Sequence, residues 1–292
     1  MPQWGAGPFF LSLPGMITMP PLTRRRLLVN SLAVTTSNLA LAESKPEPAG
    51  KRDWHPTEFR RMVALGESTT AGGWSTNASR CWVSVLGRLI NDFQAKSMEV
   101  INNGIGANVI STRSPCYKHS GKPAANQRLQ KHVLDHRPDL LIISYGLNDA
   151  RGGTPLDVFQ AEMTRVIATI RKTIQPVIVL PTPYYMTDFG GGGQPWTKAN
   201  LEIFHRYGRG IAQVARDQDC LFVDLLDASG HADWIVHYDG IHQSDLGHRI
   251  VAHRMFEVLA TNCSGLARHT KQIEKTAPRW RDESKLKADY GF

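Results

Sequence analysis

Leu140-Leu141-Ile142-Ile143-Ser144 is an uninterrupted apolar run that leads, after one tyrosine, into the turn Gly146-Leu147-Asn148-Asp149. A short run of this kind, bounded by turn residues, is typical of a strand that is buried on both faces of a parallel sheet. Similar short runs occur at residues 61–65, 99–102, 177–180 and 221–224. The sequence therefore predicts the strands of one buried sheet.

Stretches of helical spacing separate these runs. Between residues 81 and 93, apolar side chains recur about every three or four positions, as they do on one face of a helix. The same pattern predicts helices at residues 124–136, 157–172, 196–217 and 246–260. Strands that alternate with helices predict one α/β domain with three layers, α/β/α, in which helices cover both faces of a mainly parallel sheet.

Three polar turns follow the first three predicted strands. Gly66-Glu67-Ser68 comes after the first strand, the stretch 103–108 after the second, and the turn at 146–149 after the third. In parallel α/β sheets the ligand site lies beyond the carboxyl ends of the strands. We therefore expect these three turns to open at the same edge of the sheet.

A fourth segment, Asp239-Gly240-Ile241-His242, precedes the last predicted helix. A serine on a turn, such as Ser68, is a candidate nucleophile, and a histidine three residues after an aspartate is a candidate base with its own orienting carboxylate. Each segment alone is a weak signal, because Ser68 and Asn148 would then be ordinary turn residues. Together, each at the end of the right element, they indicate a serine hydrolase.

In this order the four segments closely resemble those of the SGNH hydrolase (GDSL esterase/lipase) family, over about residues 60–260. The resemblance implies a flavodoxin-like α/β fold, with Ser68 as the nucleophile, His242 as the general base and Asp239 as the carboxylate that orients it. It also implies hydrolysis of carboxylic esters through an acyl-enzyme, without a cofactor or a metal ion. The G-x-S-x-G elbow of the α/β-hydrolases is absent from this chain.

The resemblance further implies an oxyanion hole with three donors: the backbone N–H of Ser68, the side-chain amide of Asn148, and a backbone N–H that the family usually places on a glycine. That position is Ala107 here, with Gly106 as the alternative donor. Alanine still has a backbone N–H, so the oxyanion hole can persist if the local backbone angles suit a Cβ atom. A second departure is Glu67, where the family has aspartate. We expect Glu67 to change local hydrogen bonding rather than the reaction.

Residues 184–196 form a long irregular segment after the fourth predicted strand, with four successive glycines at 190–193. Long loops with flexible backbone and aromatic side chains often carry binding sites. Two interpretations are open. The segment walls the substrate pocket as a movable lid, with Tyr184, Tyr185 and Trp196 as substrate-binding residues, or its aromatic side chains cap the core.

The first 42 residues have the layout of an export signal. Their only charges are on Arg24-Arg25-Arg26, which precede a short apolar stretch and the A-x-A pattern Ala40-Leu41-Ala42. The paired arginines favour the twin-arginine route over a general secretory signal. The apolar stretch is too short and too polar to span a bilayer stably. Cleavage would leave a periplasmic or secreted protein, and Met16 and Met19 are alternative initiators.

The rest of the chain is predicted to contain a polar linker at residues 43–57, the hydrolase domain at 58–262 and a charged tail at 263–292. The tail is either a surface helix or disordered. Removal of residues 1–42 takes away three arginines and no acidic residue, which lowers the net charge from +8 to +5. This mild excess, without a dense basic stripe among aromatic residues, argues against nucleic acid as a partner.

Cysteine and histidine spacing gives no sign of a metal site. The four cysteines are too far apart for a CxxC motif, and no histidine pair has the H-E-x-x-H arrangement. One or two disulfides would form readily outside the cytoplasm, and buried free thiols are equally compatible with the sequence. The cysteines concerned are Cys81, Cys116, Cys220 and Cys263.

The sequence therefore predicts an exported serine esterase that acts on a small-molecule, glycan or lipid ester. Two alternatives stay open. The first is an O-acetyltransferase or deacetylase that acts on envelope or plant polysaccharide. The second is a catalytically silent binding module with the same fold, against which the intact serine, asparagine, aspartate and histidine argue.

Overall fold

Five parallel strands form the central sheet of the computed structural model, which describes residues 51–278. The strand order is β2-β1-β3-β4-β5, one of the two common orders of doubly wound α/β sheets. The predicted parallel, flavodoxin-like α/β fold is therefore confirmed. The strands are β1 (Arg61–Gly66), β2 (Glu99–Gly104), β3 (Leu140–Ser144), β4 (Val177–Pro181) and β5 (Leu221–Val223).

Helices connect these strands and cover the sheet. The long helix before β2 and the long helix after β5 pack against each other. The long helices before and after β4 form a second pair. Right-handed crossovers place the two pairs on opposite faces of the sheet. The helices of the described residues are α1 (Ser68–Ala71), α2 (Trp82–Asn91), α3 (Tyr117–Ser120), α4 (Leu129–His132), α5 (Leu147–Gly152), α6 (Leu156–Arg171), α7 (Leu201–Asp217), α8 (Leu225–Ala228), α9 (Asp245–Asn262) and α10 (Gly265–Glu274).

The central strands are buried on both faces, as their uninterrupted apolar sequences predict. Every residue of β4 and the first four of β3 are buried, whereas β2, at the edge of the sheet, is only half-buried. The largest fully buried side chains of the core include Trp82, Phe59, Phe159 and Phe204. This rigid sheet supports the segments at its carboxyl edge.

Two predicted helices differ from the observed ones. The predicted helix at 124–136 is split into short turns around α4, since Arg128 is buried and donates to the carbonyl oxygens of Gly66 and Asn103 at the strand ends. The predicted helix at 196–217 begins only at Leu201. Its start is fixed by Asn200, whose extended backbone and side-chain bond to the N–H of Ile203 form an N-cap.

The carboxyl ends of β1, β2 and β3 are level with one another. Gly66 lies opposite Gly104 of β2 and opposite Ser144 of β3. The turns that follow these three strands therefore emerge side by side at one edge of the sheet, as expected from the sequence. This edge includes the β1/β3 switch point, where sheets of this order bind ligands.

The two ends of the described chain pack on each other. The N–H of Trp54 donates to the carbonyl oxygen of Asn262 and the N–H of Gly265 to that of His55, both over 2.9 Å. Parts of the predicted linker and tail thus belong to the packed body. The predicted export signal and the last residues of the chain lie outside residues 51–278.

The four cysteines are buried free thiols in the structure. Within residues 51–278, no helix combines the length and the apolar character that a membrane crossing requires.

Candidate active site

Ser68 lies on a tight turn that two glycines make possible. It is the first residue of α1, directly after β1 and Glu67. A Cβ atom at Gly66 would lie 2.0 Å from Oγ1 of Thr70, and one at Gly104 would lie 2.1 Å from the backbone nitrogen of Ala71. Only glycine at both positions lets α1 pack directly on the ends of β1 and β2.

Asp239 and His242 lie on a short closed loop at the same edge. An isolated bridge between Val236 and Gln243 closes this loop, and Gly240 adopts a φ of +73° inside it. Oδ1 of Asp239 accepts the backbone N–H groups of Ile241 and His242, both over 3.0 Å. The loop thereby fixes the carboxylate before it contacts the imidazole.

The structure joins the three predicted triad residues in one hydrogen-bonded chain. Oδ2 of Asp239 lies 2.6 Å from Nδ1 of His242, and Nε2 of His242 lies 3.0 Å from Oγ of Ser68. An ionised carboxylate can only accept hydrogen bonds, so the proton of the neutral imidazole lies on Nδ1. Nε2 is then free to accept the proton of the serine hydroxyl.

The surroundings of the pair favour an ionised Asp239 beside a neutral His242. Burial opposes ionisation of Asp239, but the hydrogen bonds from His242 and Ile241 outweigh it and lower the pKa to about 2. Burial also lowers the pKa of His242 below its ordinary value of 6.5, and the bond and charge of Asp239 offset this only in part. A neutral imidazole at neutral pH is the form that can act as a base.

Each of the three predicted oxyanion donors keeps an N–H hydrogen that a substrate oxygen can accept. Within the described chain, no acceptor bonds the backbone N–H of Ser68 or Ala107. The amide of Asn148 donates one hydrogen to the carbonyl oxygen of Asn108 over 3.1 Å and has a second hydrogen to offer. Gly106 also lies beside Ser68, since a Cβ atom at Gly106 would be 3.9 Å from Cβ of Ser68.

Ala107 adopts a φ of +54°, in the left-handed region that glycine prefers. This conformation costs an L-residue roughly 1–2 kcal/mol. Replacement of Ala107 with glycine removes this cost, but it also gives the unfolded chain more conformational freedom, which lowers stability. The net effect should be an increase of up to about 1 kcal/mol in the free energy of unfolding. Urea unfolding measures this change, and Ala161→Gly at an exposed position in the interior of α6 should instead lower stability by about 1 kcal/mol. A large loss of stability in Ala107→Gly would contradict the left-handed geometry.

Glu67 connects the nucleophile turn to the third turn. Its two carboxyl oxygens accept the backbone N–H groups of Leu147 and Asn148, over 3.0 and 2.8 Å. Burial and the nearby carboxyl of Asp149 raise the pKa of Glu67 to about 8, against the effect of the two N–H bonds. Glutamate, which is longer than the aspartate of the family, thus holds the backbone of Asn148 in place. This agrees with the expected effect of Glu67 on local hydrogen bonding.

Replacement of Glu67 with glutamine should destabilise the fold and reduce kcat. A glutamine side chain has only one acceptor oxygen, so its amide nitrogen would face a buried backbone N–H, at a cost of about 1–3 kcal/mol. Urea unfolding and ester hydrolysis measure the two effects. Glu58→Gln is the matched control, because Glu58 is only half-buried and accepts a single N–H, that of Ala95. Equal stability of the two variants would rule out this role for Glu67.

Asp149 lies in the first turn of α5 and holds the second turn against the third. Its side chain is fully buried and accepts the N–H of Ile110 together with the hydroxyl groups of Ser114 and Thr154. Burial raises its pKa to about 6 against these three bonds. Nothing in the sequence around Asn148 distinguishes this buried carboxyl group from a surface one.

The aromatic residues of the 184–196 segment have different environments. Tyr184 is buried in the main core, and half-buried Tyr185 donates its hydroxyl to exposed Asp233 over 2.9 Å. Trp196 is buried in a small cluster on which Ala107 packs. Trp196 therefore supports the predicted oxyanion segment, and these positions favour the interpretation in which the aromatic side chains cap the core.

The glycine run of this segment is fastened to the site. Arg151, a buried residue of α5, donates to the carbonyl oxygen of Gly191. The backbone N–H groups of Thr187 and Asp188 both donate to the carbonyl oxygen of Gly240, over 2.8 and 2.9 Å. The segment is thus bonded to the loop of Asp239 and His242, which argues against a lid that moves independently of that loop.

Within residues 51–278, no group of three or more His, Cys, Asp or Glu side chains is arranged to hold a metal ion.

A family model described as the GDSL-like lipase/acylhydrolase family matches residues 64–250. This stretch contains all four segments and more than half of the chain. The chain therefore belongs to the GDSL-like lipase/acylhydrolase family, a class of ester-hydrolysing enzymes, and the family predicted from the four segments is confirmed.

Individual relatives agree with this assignment. An acetylxylan esterase of Geobacillus stearothermophilus is 23% identical over 183 residues, which are 58% of this chain and 75% of that protein. The crystal structure of Axe2, an acetylxylan esterase from Geobacillus stearothermophilus, matches with a TM-score of 0.53 and 20% identity over 70% of this chain and 95% of that one. A lipase/acylhydrolase of Enterococcus faecalis matches with a TM-score of 0.55 and 23% identity over 69% and 96% of the two chains.

Proposed function

We propose that this protein is a serine esterase in which Ser68 is the nucleophile, His242 the general base and Asp239 the carboxylate that orients the base. The observation that carries the proposal is the unbroken hydrogen-bonded chain from Asp239 through His242 to Oγ of Ser68. Further support comes from the acetylxylan esterase Axe2, whose described catalytic mutants replace a serine, an aspartate and a histidine.

The proposed reaction begins when Oγ of Ser68 attacks the ester carbonyl carbon and transfers its proton to Nε2 of His242. The tetrahedral intermediate collapses, the C–O bond to the alcohol breaks, and His242 returns the proton to the leaving oxygen. A water molecule then attacks the acyl-enzyme and gives its proton to His242. The acid leaves and the proton returns to Ser68, so that one ester and one water yield one acid and one alcohol.

The oxyanion of both tetrahedral intermediates would be held by the N–H groups of Ser68 and Ala107 and by the amide of Asn148. Each preorganised donor of this kind is typically worth about 3 kcal/mol in transition-state stabilisation. Gly106 is the alternative backbone donor. Ala107 is the better candidate, because its left-handed backbone and its packing on the Trp196 cluster fix the direction of its N–H.

For the substrate class we propose acetyl esters of polysaccharide. The proposal rests on the similarity to the acetylxylan esterase of Geobacillus stearothermophilus, which spans 58% of this chain. The competing function is transfer of the acetyl group to a sugar hydroxyl in place of water. The two functions share the acyl-enzyme and differ only in the acceptor.

One experiment tests the substrate class and the acceptor together. The purified enzyme is incubated with acetylated xylan, and free acetate is measured beside acetylated products formed on an added unacetylated xylooligosaccharide. Esterase activity predicts release of acetate in step with loss of ester and no acetylated oligosaccharide. Acetylated oligosaccharide as the main product would establish a transferase. Turnover of p-nitrophenyl acetate but not of acetylated xylan would reject the polysaccharide substrate.

The pH dependence of kcat/KM should reflect the lowered pKa of His242. The base acts only as neutral imidazole, so kcat/KM is lost as the pH falls through the pKa of His242, which burial places below 6.5. Asp239 stays ionised throughout this range, because its pKa is about 2. A profile of p-nitrophenyl acetate hydrolysis from about pH 4 to about pH 8 measures the midpoint. A midpoint above 6.5 would contradict this account of His242.

We also propose that the protein is exported and that its signal is removed near Ala42. The support is the sequence alone: Arg24-Arg25-Arg26, the apolar stretch and the A-x-A pattern at residues 40–42. N-terminal sequencing of protein recovered from the periplasm or the medium tests this. A mature N-terminus near Glu43 would support export, and retention of the whole chain in the cytoplasm would reject it.

A further inference from the structure

Trp74 lies directly on the imidazole of His242. The ring centroids are 3.5 Å apart and the ring planes differ by only 7°. Residue 74 comes shortly after the nucleophile in the sequence, and no motif marks it as part of the site. His242 is 8% exposed, whereas Trp74 is 40% exposed. The indole therefore covers the base on its solvent side.

The loop that carries Trp74, residues 72–77, is anchored at both ends. At its start, Gly72 has a φ of +72° and its carbonyl oxygen accepts both the N–H and the hydroxyl group of Ser75. At its other end, the N–H and the hydroxyl of Thr76 donate to the two carboxyl oxygens of Asp245, over 2.8 and 2.6 Å. Asp245 follows His242 by three residues, so the loop bridges the nucleophile segment and the base segment.

We propose that Trp74 is a positioning residue for the general base: its indole face holds the His242 imidazole in line with Asp239 and Ser68 and stabilises the imidazolium that forms during the reaction. The face of an indole carries partial negative charge and attracts a cation that lies over it. This proposal rests on the proposed function, since it assigns Trp74 a role in the protonation of His242.

Other charged groups around His242 act on its protonation independently of Trp74. Asp239 favours the imidazolium, whereas Arg151 and His237 oppose it. His248 of α9 is also close enough to interact with His242. None of these groups changes when Trp74 is replaced. A smaller cover would by itself raise the pKa of His242, because burial lowers it, so a fall in that pKa reports the loss of the indole face.

The test compares two replacements of Trp74. Trp74→Phe retains an aromatic face, whereas Trp74→Leu retains an apolar cover without one. We expect Trp74→Phe to keep kcat within about threefold of the wild-type value. We expect Trp74→Leu to lower kcat roughly 2- to 30-fold with little change in KM, since cation–π interactions of this kind contribute that factor. The pKa of His242, measured by NMR titration without substrate, should fall in Trp74→Leu.

Trp234→Leu is the matched control, because Trp234 is 78% exposed on a neighbouring segment and does not stack on His242. It should leave kcat and the His242 titration unchanged. The proposal is overturned if Trp74→Leu has wild-type kcat and an unshifted His242 titration, or if only KM changes, which would make Trp74 a substrate contact. Failure of the proposed function itself would appear separately, as full activity of Ser68→Ala.

Discussion

Replacement of Ser68 with alanine should lower kcat/KM for ester hydrolysis roughly 10⁴-fold or more, because no other group can form the acyl-enzyme. The described contacts of Oγ consist of one hydrogen bond, to Nε2 of His242. Its loss removes a single oxygen atom from a small, buried turn. The melting temperature and the circular dichroism spectrum should therefore stay close to those of the wild-type protein.

Ser79→Ala serves as the control for this prediction. Ser79 is exposed, lies on the turn before α2 and bonds only to the neighbouring Asn77 side chain through its own side chain. It should have wild-type activity. Substantial hydrolysis by folded Ser68→Ala would show that the nucleophile lies elsewhere. Equal loss of activity in both variants would point to a general sensitivity of this region.

Replacement of Asp239 with asparagine should lower kcat about 10³- to 10⁴-fold with little change in stability. Asparagine can retain the oxygen that accepts the N–H groups of Ile241 and His242, so the loop keeps its shape. The new amide nitrogen would replace the oxygen that lies 2.6 Å from Nδ1 of His242. Because an amide nitrogen only donates, the imidazole would carry its proton on Nε2, where it cannot accept the proton of Ser68.

Asp233→Asn controls for the loss of one negative charge near the site. Asp233 is exposed and accepts a hydrogen bond from the hydroxyl of Tyr185. Its replacement should change kcat by less than about twofold, as expected for an exposed polar pair. Steady-state kinetics measure kcat for Asp239→Asn and for Asp233→Asn. Near-normal turnover by Asp239→Asn would exclude the proposed orientation of the base by this carboxylate.

The parts of the site that lie in short, local sequence patterns could be predicted. The run that contains Ile142 and Ile143 is apolar throughout because both faces of β3 are buried, and a turn must follow such a strand. Ser68 and Asn148 each lie in the turn that follows a strand of this kind. Asp239 and His242 are three residues apart on one loop, so their contact depends on local geometry.

The supporting contacts could not be predicted, since they depend on long-range packing. Arg128 breaks a helix that its neighbours favour, because its guanidinium group binds carbonyl oxygens at the ends of two strands. Asp149 is buried and accepts hydrogen bonds from Ile110 and Ser114, which lie 39 and 35 positions before it. The stacking of Trp74 on His242 joins residues 168 positions apart in the sequence, and no spacing rule connects them.

The departures from the family pattern gained a physical meaning only from the structure. The sequence identifies Glu67 as unusual, and the structure shows its carboxyl oxygens bonded to two backbone N–H groups of the third turn. The sequence also leaves the backbone of Ala107 undefined. A φ of +54° shows that alanine takes up the conformation that glycine usually supplies.

The most direct test of the central claim is covalent labelling of the nucleophile. The wild-type enzyme is treated with a fluorophosphonate, which reacts with an activated serine hydroxyl, and the modified peptide is identified by mass spectrometry. We predict one adduct, on Ser68, that is absent from Ser68→Ala and forms far more slowly in His242→Ala. An active enzyme that carries the label on another residue, or no label at all, would contradict the assignment of Ser68 as the nucleophile.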